Sequence, residues 1–293
     1  MAGFKMKKKQ LTHAVFVAPS LLFYSFFLVL PILIGIYYSF TNWNGITRKY
    51  SFIGFQNYKK MFTDQRFLRA IRFNIKYAFI LIVCILALSI ILGLLLNQKI
   101  WGKSFFRAAY FFPAVISLIT TGLIFNQIYG NVLPELGELL HITFLKKNIL
   151  ASPNTAMYGI LITHIWQGVA IPTVLVIAGL QTVPEELKEA AALDGASAFQ
   201  VFRYITIPFL LPVISMILVL VLKDGLMVYD YVLALTTGGP AGATESITML
   251  LFKQGFEELK FSYAISQAIT VAIVIIAVSI LQISLTNRKK VYD

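Results

Sequence analysis

Charge is scarce in this sequence: only 13% of its 293 residues are Asp, Glu, Lys or Arg, about half the share usual in a soluble domain. Acidic residues are scarcest, 13 against 25 Lys and Arg, for a formal net charge of +12. Cysteine occurs once, as Cys84 inside an apolar run, which excludes a disulfide within the chain and a thiolate metal site. His13, His141 and His164 stand far apart with no carboxylate at metal-ligand spacing, so no metal site is expected. No Ser/His/Asp or Cys/His pattern of a nucleophilic enzyme occurs. The basic residues are scattered between apolar runs rather than set in a stripe with aromatics. They therefore read as loops and helix ends meeting anionic headgroups, not as a nucleic-acid surface. No low-complexity linker and no insertion of soluble-domain size interrupts the chain.

Apolar surface is what the chain has in excess. Hydrophobic residues make up 58% of it, 24 positions are Phe, and the mean hydropathy is +0.77. A single globular core of this length cannot enclose so much, so the bilayer must serve as solvent. Six apolar stretches, roughly 14–40, 74–96, 105–129, 156–181, 206–236 and 262–285, reach the ~20 residues a helix needs to cross ~30 Å of hydrocarbon. The expected fold is an all-α membrane protein, one transmembrane domain over residues 1–293. The first stretch follows Lys5, Lys7, Lys8 and Lys9 like a secretory signal, but its run is too long and no small-x-small site closes it. It reads as an uncleaved first span. Segment 56–72 sets Tyr58, Met61, Phe62, Phe67, Leu68 and Ile71 at helical spacing among basic residues, which predicts an amphipathic helix lying in the interface. Trp43 and Trp101 fall at span ends, as an aromatic belt requires.

An even span count puts both termini on one side. Lys5–Lys9 and Arg288-Lys289-Lys290 choose the cytoplasm for it. The segment between the first two spans then lies outside with Arg48, Lys49, Lys59, Lys60, Arg66, Arg69, Arg72 and Lys76, against the usual charge bias.

The loop 182–208 is unlike the other connections. Pro184 suits the first turn of a helix, and Glu185 and Glu186 complement its dipole. Glu189 to Leu193 are strong helix formers, Gly195 permits a reversal, and Ser197 can cap a second helix. Pro208 and Pro212 then start the next span. The loop should project as a compact knob with an Ala-rich face that another protein's backbone can approach closely. Glu189-Ala190-Ala191, then Gly195, then Ile205-x-Ile207-Pro208, resembles the EAA motif of binding-protein-dependent ABC importer permeases, with Ile207 where Leu is commonest. Phe52-Ile-Gly-Phe-Gln-Asn-Tyr58, Leu235-Thr-Thr-Gly-Gly-Pro240 with Thr244, and Gly255-Phe256 extend the resemblance over nearly the whole chain. The likeness is to the maltose/multiple-sugar/raffinose type, in a compact form without a large extracytoplasmic insertion.

That resemblance implies a MetI-like fold, with the loop cytoplasmic and its first helix docked in a cleft of an ATPase subunit. Glu189, Ala190, Ala191, Asp194 and Gly195 would be the coupling residues. It implies two ATPase subunits or domains, a second permease across a pseudo-twofold axis, an extracytoplasmic solute-binding protein, and a sugar or polyol as cargo. ATP and Mg²⁺ would belong to the ATPases, so this chain is expected to be a multi-pass cell-membrane protein with no cofactor and no catalytic residue. Gly102-Lys103-Ser104 has the ending of a P-loop, but Asn97 stands where its glycine is required.

Polar groups inside spans need a reason, since an ionised residue there costs roughly 2.5–3.5 kcal/mol. Span five carries Lys223, Asp224 and Asp230; as sequence neighbours, Lys223 and Asp224 are not expected to pair ideally. Span four carries His164, Trp166, Gln167 and Gly168, then Pro172, which should loosen the helix beside a cavity. By resemblance, sugar-contacting positions fall on Tyr110 and Ala114, on His164, Gln167, Gly168 and Ile171, and on Val221, Asp224, Gly225 and Val228. Only Tyr110 and Gly168 match the residue type of the maltose permease, which argues against maltose itself. Carboxylates and amides suit sugar hydroxyls, and Trp166 or Tyr229 could offer a stacking face. Asn126 and Gln127, near the outer end of span three, read as packing or interface residues. The competing reading is an ion-coupled transporter using Asp224, Asp230 and Lys223 as a relay.

Overall fold

The structure is a computed structural model that describes residues 15–98 and 101–287. The terminal Lys and Arg clusters and His13 lie outside the described residues. Among the described residues twelve helices follow one another: α1 (Val15–Ser39), α2 (Gln56–Met61), α3 (Gln65–Asn97), α4 (Lys103–Phe111), α5 (Leu118–Leu139), α6 (Ala156–Gly168), α7 (Ala170–Leu180), α8 (Glu185–Leu193), α9 (Ala198–Leu226), α10 (Asp230–Leu235), α11 (Ile247–Phe252) and α12 (Phe261–Asn287). Four are long and apolar enough to cross a bilayer unbroken, and two bent pairs bring the number of spans to six if each pair counts as one. The chain divides into two compact units, residues 1–64 with 251–272, and residues 65–250 with 273–293.

In the first unit a polar knot ties the end of α1 to the start of α12. The Thr41 hydroxyl lies 2.9 Å from that of Ser262, and Asn57 Nδ2 donates to the carbonyls of Ser39 and Thr41 at 2.9 Å each. Trp43 stacks on Tyr38 with ring centroids 4.2 Å apart and donates from Nε1 to the Thr47 carbonyl. These groups sit where helix ends leave backbone acceptors unpaired, and side chains fill the deficit.

In the second unit α3 is the axis. Phe67, Ala70, Phe73, Tyr77, Leu81, Ile85, Ser89, Gly93 and Leu96 recur at helical spacing and are all buried. That one stripe explains a departure from the sequence expectation. Residues 65–72 do not belong to an interfacial helix over 56–72; they are the first turns of a 33-residue helix, separated from α2 by a turn at Phe62–Asp64. The helices α3 and α9 meet closely at Gly225, where a Cβ would lie 2.8 Å from Ala78 Cα. A small residue on each side lets the two backbones approach.

Three expected spans are broken. The third bends by 100° between Val115 and Leu118, after a 3₁₀ turn that begins Phe112-Pro113, with Ile116 and Ser117 extended. The fourth bends by 44° between Gly168 and Ala170, because Pro172 has no N–H for the carbonyl of Gly168 four residues back. The fifth ends at Leu226 instead of 236, and the chain resumes as α10 only at Asp230. Its start differs as well. Pro208 and Pro212 lie inside α9, which runs unbroken from Ala198, so the second helix of the loop is continuous with the span. A π turn over Phe202–Thr206, with Ile207 N–H bonded to the Phe202 carbonyl, accommodates Pro208 by shifting the ladder one residue.

Candidate functional site

The three breaks meet. Ile116, Ser117 and Leu118 from the first, Gly168, Ile171 and Pro172 from the second, and Met227 to Tyr229 from the third all line one cavity of about 690 Å³. Irregular backbone at membrane depth is tolerated where it borders a cavity, since water or a ligand can meet the unpaired groups. The volume falls in the usual range for small-ligand sites.

Side chains on α6 hold the breaks together. Gln167 Nε2 donates to the Ile116 carbonyl at 2.6 Å, taking up the acceptor that the extended backbone leaves open. Its Oε1 accepts from the Tyr231 hydroxyl at 2.9 Å, which fixes the start of α10. His164 Nδ1 lies 2.9 Å from the Tyr77 hydroxyl, and its ring centroid is 4.5 Å from that of Tyr231. Asn74 works one level further along α3: Nδ2 donates to the Leu226 carbonyl at 2.8 Å while Oδ1 accepts from Ile247 N–H at 2.8 Å. Both ends of the third break are thus tied to α3 and α6.

Of the sequence-predicted substrate positions, His164, Gln167, Gly168, Ile171, Asp224 and Val228 line this cavity, together with Ala114 and Val221. Tyr110 lies elsewhere, with Arg107 and Gln181 around a separate hollow of about 480 Å³. Gly225 is the close-packing contact with Ala78 and does not line the cavity. Trp166 turns toward Phe125, 5.2 Å between centroids, whereas Tyr229 lines the cavity. Lys223 and Asp224 do approach each other, at 3.3 Å with side chains 60% and 50% exposed, so the neighbours pair after all in an open setting. Asn126 donates to the Leu235 carbonyl at 3.0 Å, a packing role, whereas Gln127 is exposed and accepts at 2.6 Å from Asn131, one turn on in the same helix. Tyr77 and Tyr231 escaped sequence reasoning, because nothing local marks a tyrosine as the partner of a residue 64 or more positions away.

The loop after α7 is a second candidate site. No residue of α8 is buried, and Glu189, Ala190, Asp194 and Gly195 are exposed. Ala191 is half-buried. Gly195 has φ +81°, and the paired bonds Ala196 N–H to Ala191 carbonyl (2.9 Å) and Gly195 N–H to Ala192 carbonyl (3.1 Å) close the helix as a Schellman turn. Ser197 and Gln200 then make a reciprocal capping box that starts α9. Leu193 is 89% exposed, and Leu187 and Phe199 are exposed too, an apolar rim that composition of the loop alone had not singled out.

Residues 139–290 match the family described as binding-protein-dependent transport system inner membrane component. The multiple sugar-binding transport system permease protein MsmF of Streptococcus mutans is 43% identical over 265 residues, covering 90% of this chain and 91% of its own. The trehalose/maltose transport system permease protein MalF of Thermococcus litoralis is 34% identical over 205 residues, 69% of this chain and 68% of its own. In fold, the chain is similar to a crystal structure of a bacterial ABC transporter involved in the import of the acidic polysaccharide alginate, with a TM-score of 0.85 at 19% identity over 99% of this chain and 100% of that one.

Proposed function

The chain belongs to the family of binding-protein-dependent transport system inner membrane components, and we propose that within it this subunit forms half of the path of an ATP-driven carbohydrate importer. It is a multi-pass inner-membrane permease subunit of an ABC importer, a transport component. The observation that carries the mechanism is α8: a helix with no buried residue, rigidly closed at Gly195 and continuous through a capping box with a span. A helix with no buried residue, and with apolar Leu187 and Leu193 exposed, is built to meet another protein.

In the proposed arrangement the loop 182–208 and both termini face the cytoplasm. An ATPase subunit receives α8, with Glu189 toward a basic residue and Ala190 and Ala191 at the closest approach. ATP and Mg²⁺ sit on the two ATPase subunits or domains, and this chain has no ATPase site of its own. A second permease completes the path, and an extracytoplasmic binding protein delivers an oligosaccharide or related polyol. Relatives named for multiple sugars and for trehalose and maltose support that cargo. Within the cavity, Asp224 and the second hydrogen of the Gln167 amide are the groups offered to hydroxyls, and Tyr229 adds an aromatic face. His164 and Tyr231 shape the wall. Because α8 joins α9 through one turn, a displacement of α8 is delivered to the span that carries Asp224.

The ion-coupled alternative gains no support from the family match or the relatives. Reconstitution separates the two. Uptake should require the ATPase partner and ATP; uptake driven by an ion gradient without that partner would overturn the proposal.

A further inference from the structure

Arg69, Arg72 and Lys76 share one face of α3 at helical spacing. With Phe73, Met157 and residues 241–243 they border a hollow of about 470 Å³. All three are exposed, and among the described residues no carboxylate lies within ion-pair distance of them. Glu245, on the same loop as 241–243, is engaged by Arg66 through two 2.7 Å bonds. Lys76 rests its ammonium 5.5 Å from the centre of the Tyr158 ring on α6, so α3 and α6 flank the lower end of the hollow.

The same stripe changes character one turn on. Phe79 and Val83 on α3 are exposed, as are Tyr158 and Ile162 on α6. From Tyr77 to Leu96 runs about 20 residues, or ~30 Å at 1.5 Å per residue, the thickness of the hydrocarbon layer. Lys76 therefore stands at its edge, Arg72 about 6 Å and Arg69 about 11 Å beyond it, in and just outside the headgroup layer. A ladder of cations above an exposed apolar strip has the two-part form of a phospholipid.

We propose that this face holds an anionic phospholipid of the outer leaflet, its phosphate on Arg72 and Lys76 and an acyl chain along the strip that Phe79 and Val83 begin. The proposal rests on the orientation given above, with loop 182–208 cytoplasmic. It supplies a reason for basic residues on the side that the usual charge bias leaves poor in them.

The test uses the assembled transporter in detergent, with native mass spectrometry counting retained dioleoylphosphatidylglycerol and dioleoylphosphatidylcholine. The double variant Arg72→Gln/Lys76→Gln should retain one phosphatidylglycerol fewer and bind it about thirtyfold more weakly, two cations each contributing about a factor of five, with phosphatidylcholine unchanged. Arg72→Lys/Lys76→Arg should behave as wild type, which separates charge from misfolding. Unchanged phosphatidylglycerol retention in the double variant would overturn the proposal. So would displacement by millimolar inorganic phosphate, which would mark a site for a free anion. In pure phosphatidylcholine nanodiscs, where no anionic lipid is present, a lower binding-protein-stimulated ATP hydrolysis in the double variant than in wild type would overturn it as well, by assigning the cations to a protein partner. Orientation is read separately, from a single cysteine at Asn154 in a Cys84→Ser background. Labelling by an impermeant maleimide from the cytoplasmic side alone would refute the orientation, and with it the outer-leaflet assignment, whatever the lipid count.

Discussion

Replacing Gln167 with Leu should loosen the transporter by an amount that can be worked out from its two bonds. The residue is 5% exposed, donates to the Ile116 carbonyl and accepts from the Tyr231 hydroxyl. Leucine is close in volume, so cavity and overpacking effects stay small. What remains is a carbonyl and a hydroxyl without their partner, each costing about 1–3 kcal/mol when buried. Both owners line the cavity, so water can reach part of that deficit, and a loss of about 2–4 kcal/mol is expected. At about 2–4 °C per kcal/mol, unfolding of the assembled complex should fall by roughly 5–15 °C. Tryptophan fluorescence suits the assay, since Trp166 is the neighbouring residue. Gln167→Glu is the sharper variant: its carboxylate still accepts from Tyr231 but sets an acceptor against the Ile116 carbonyl. It should be no more stable than Gln167→Leu. A midpoint within about 1 °C of wild type for both variants would refute the view that Gln167 pins the breaks.

Gly225→Leu should cost about 1–3 kcal/mol or block assembly, because its side chain would enter the Ala78 backbone; normal yield and thermal stability would count against that packing. Gly195→Ala meets no neighbouring atom, so only its φ of +81° is penalised, by about 1–2 kcal/mol, and Gly195→Asn should cost less; equal ATPase activity in all three proteins would show that the turn does not limit coupling. Glu189→Lys, at an exposed position, should leave thermal stability within about 0.5 kcal/mol yet abolish stimulation of the ATPase, and full stimulation would refute docking through α8. Asp224→Asn should weaken sugar uptake with little change in assembly, as its side chain is half exposed to the cavity; unchanged uptake kinetics would move the polar contact to another wall residue.

Much of this was legible in the linear chain for a simple reason. Hydropathy over about 20 residues reports the solvent a helix will meet, and turn chemistry acts between residues a few positions apart. Gly195 and the Ser197–Gln200 cap behave as their local chemistry requires. The expected interfacial helix at 56–72 failed because one amphipathic stripe continued into the span, and a stripe looks the same whether its partner is lipid or protein. Pro208 misled in a related way: a proline near a helix start is ordinarily its first turn, but a π turn can carry it inside.

The sequence by itself determined the solvent, the approximate spans and the exposed loop, since each depends on residues close together along the chain. It also placed polar residues in spans four and five. Only the tertiary structure decided where the spans break and that the breaks share one cavity. The carbonyl left open at Ile116 is met by an amide 51 residues later, and that amide in turn holds a tyrosine 64 residues further on. Such pairings follow from how α3, α6 and α9 pack, which no local pattern specifies. The same packing took Gly225 out of the candidate pocket and put it between two helices, where the absence of a side chain is its contribution.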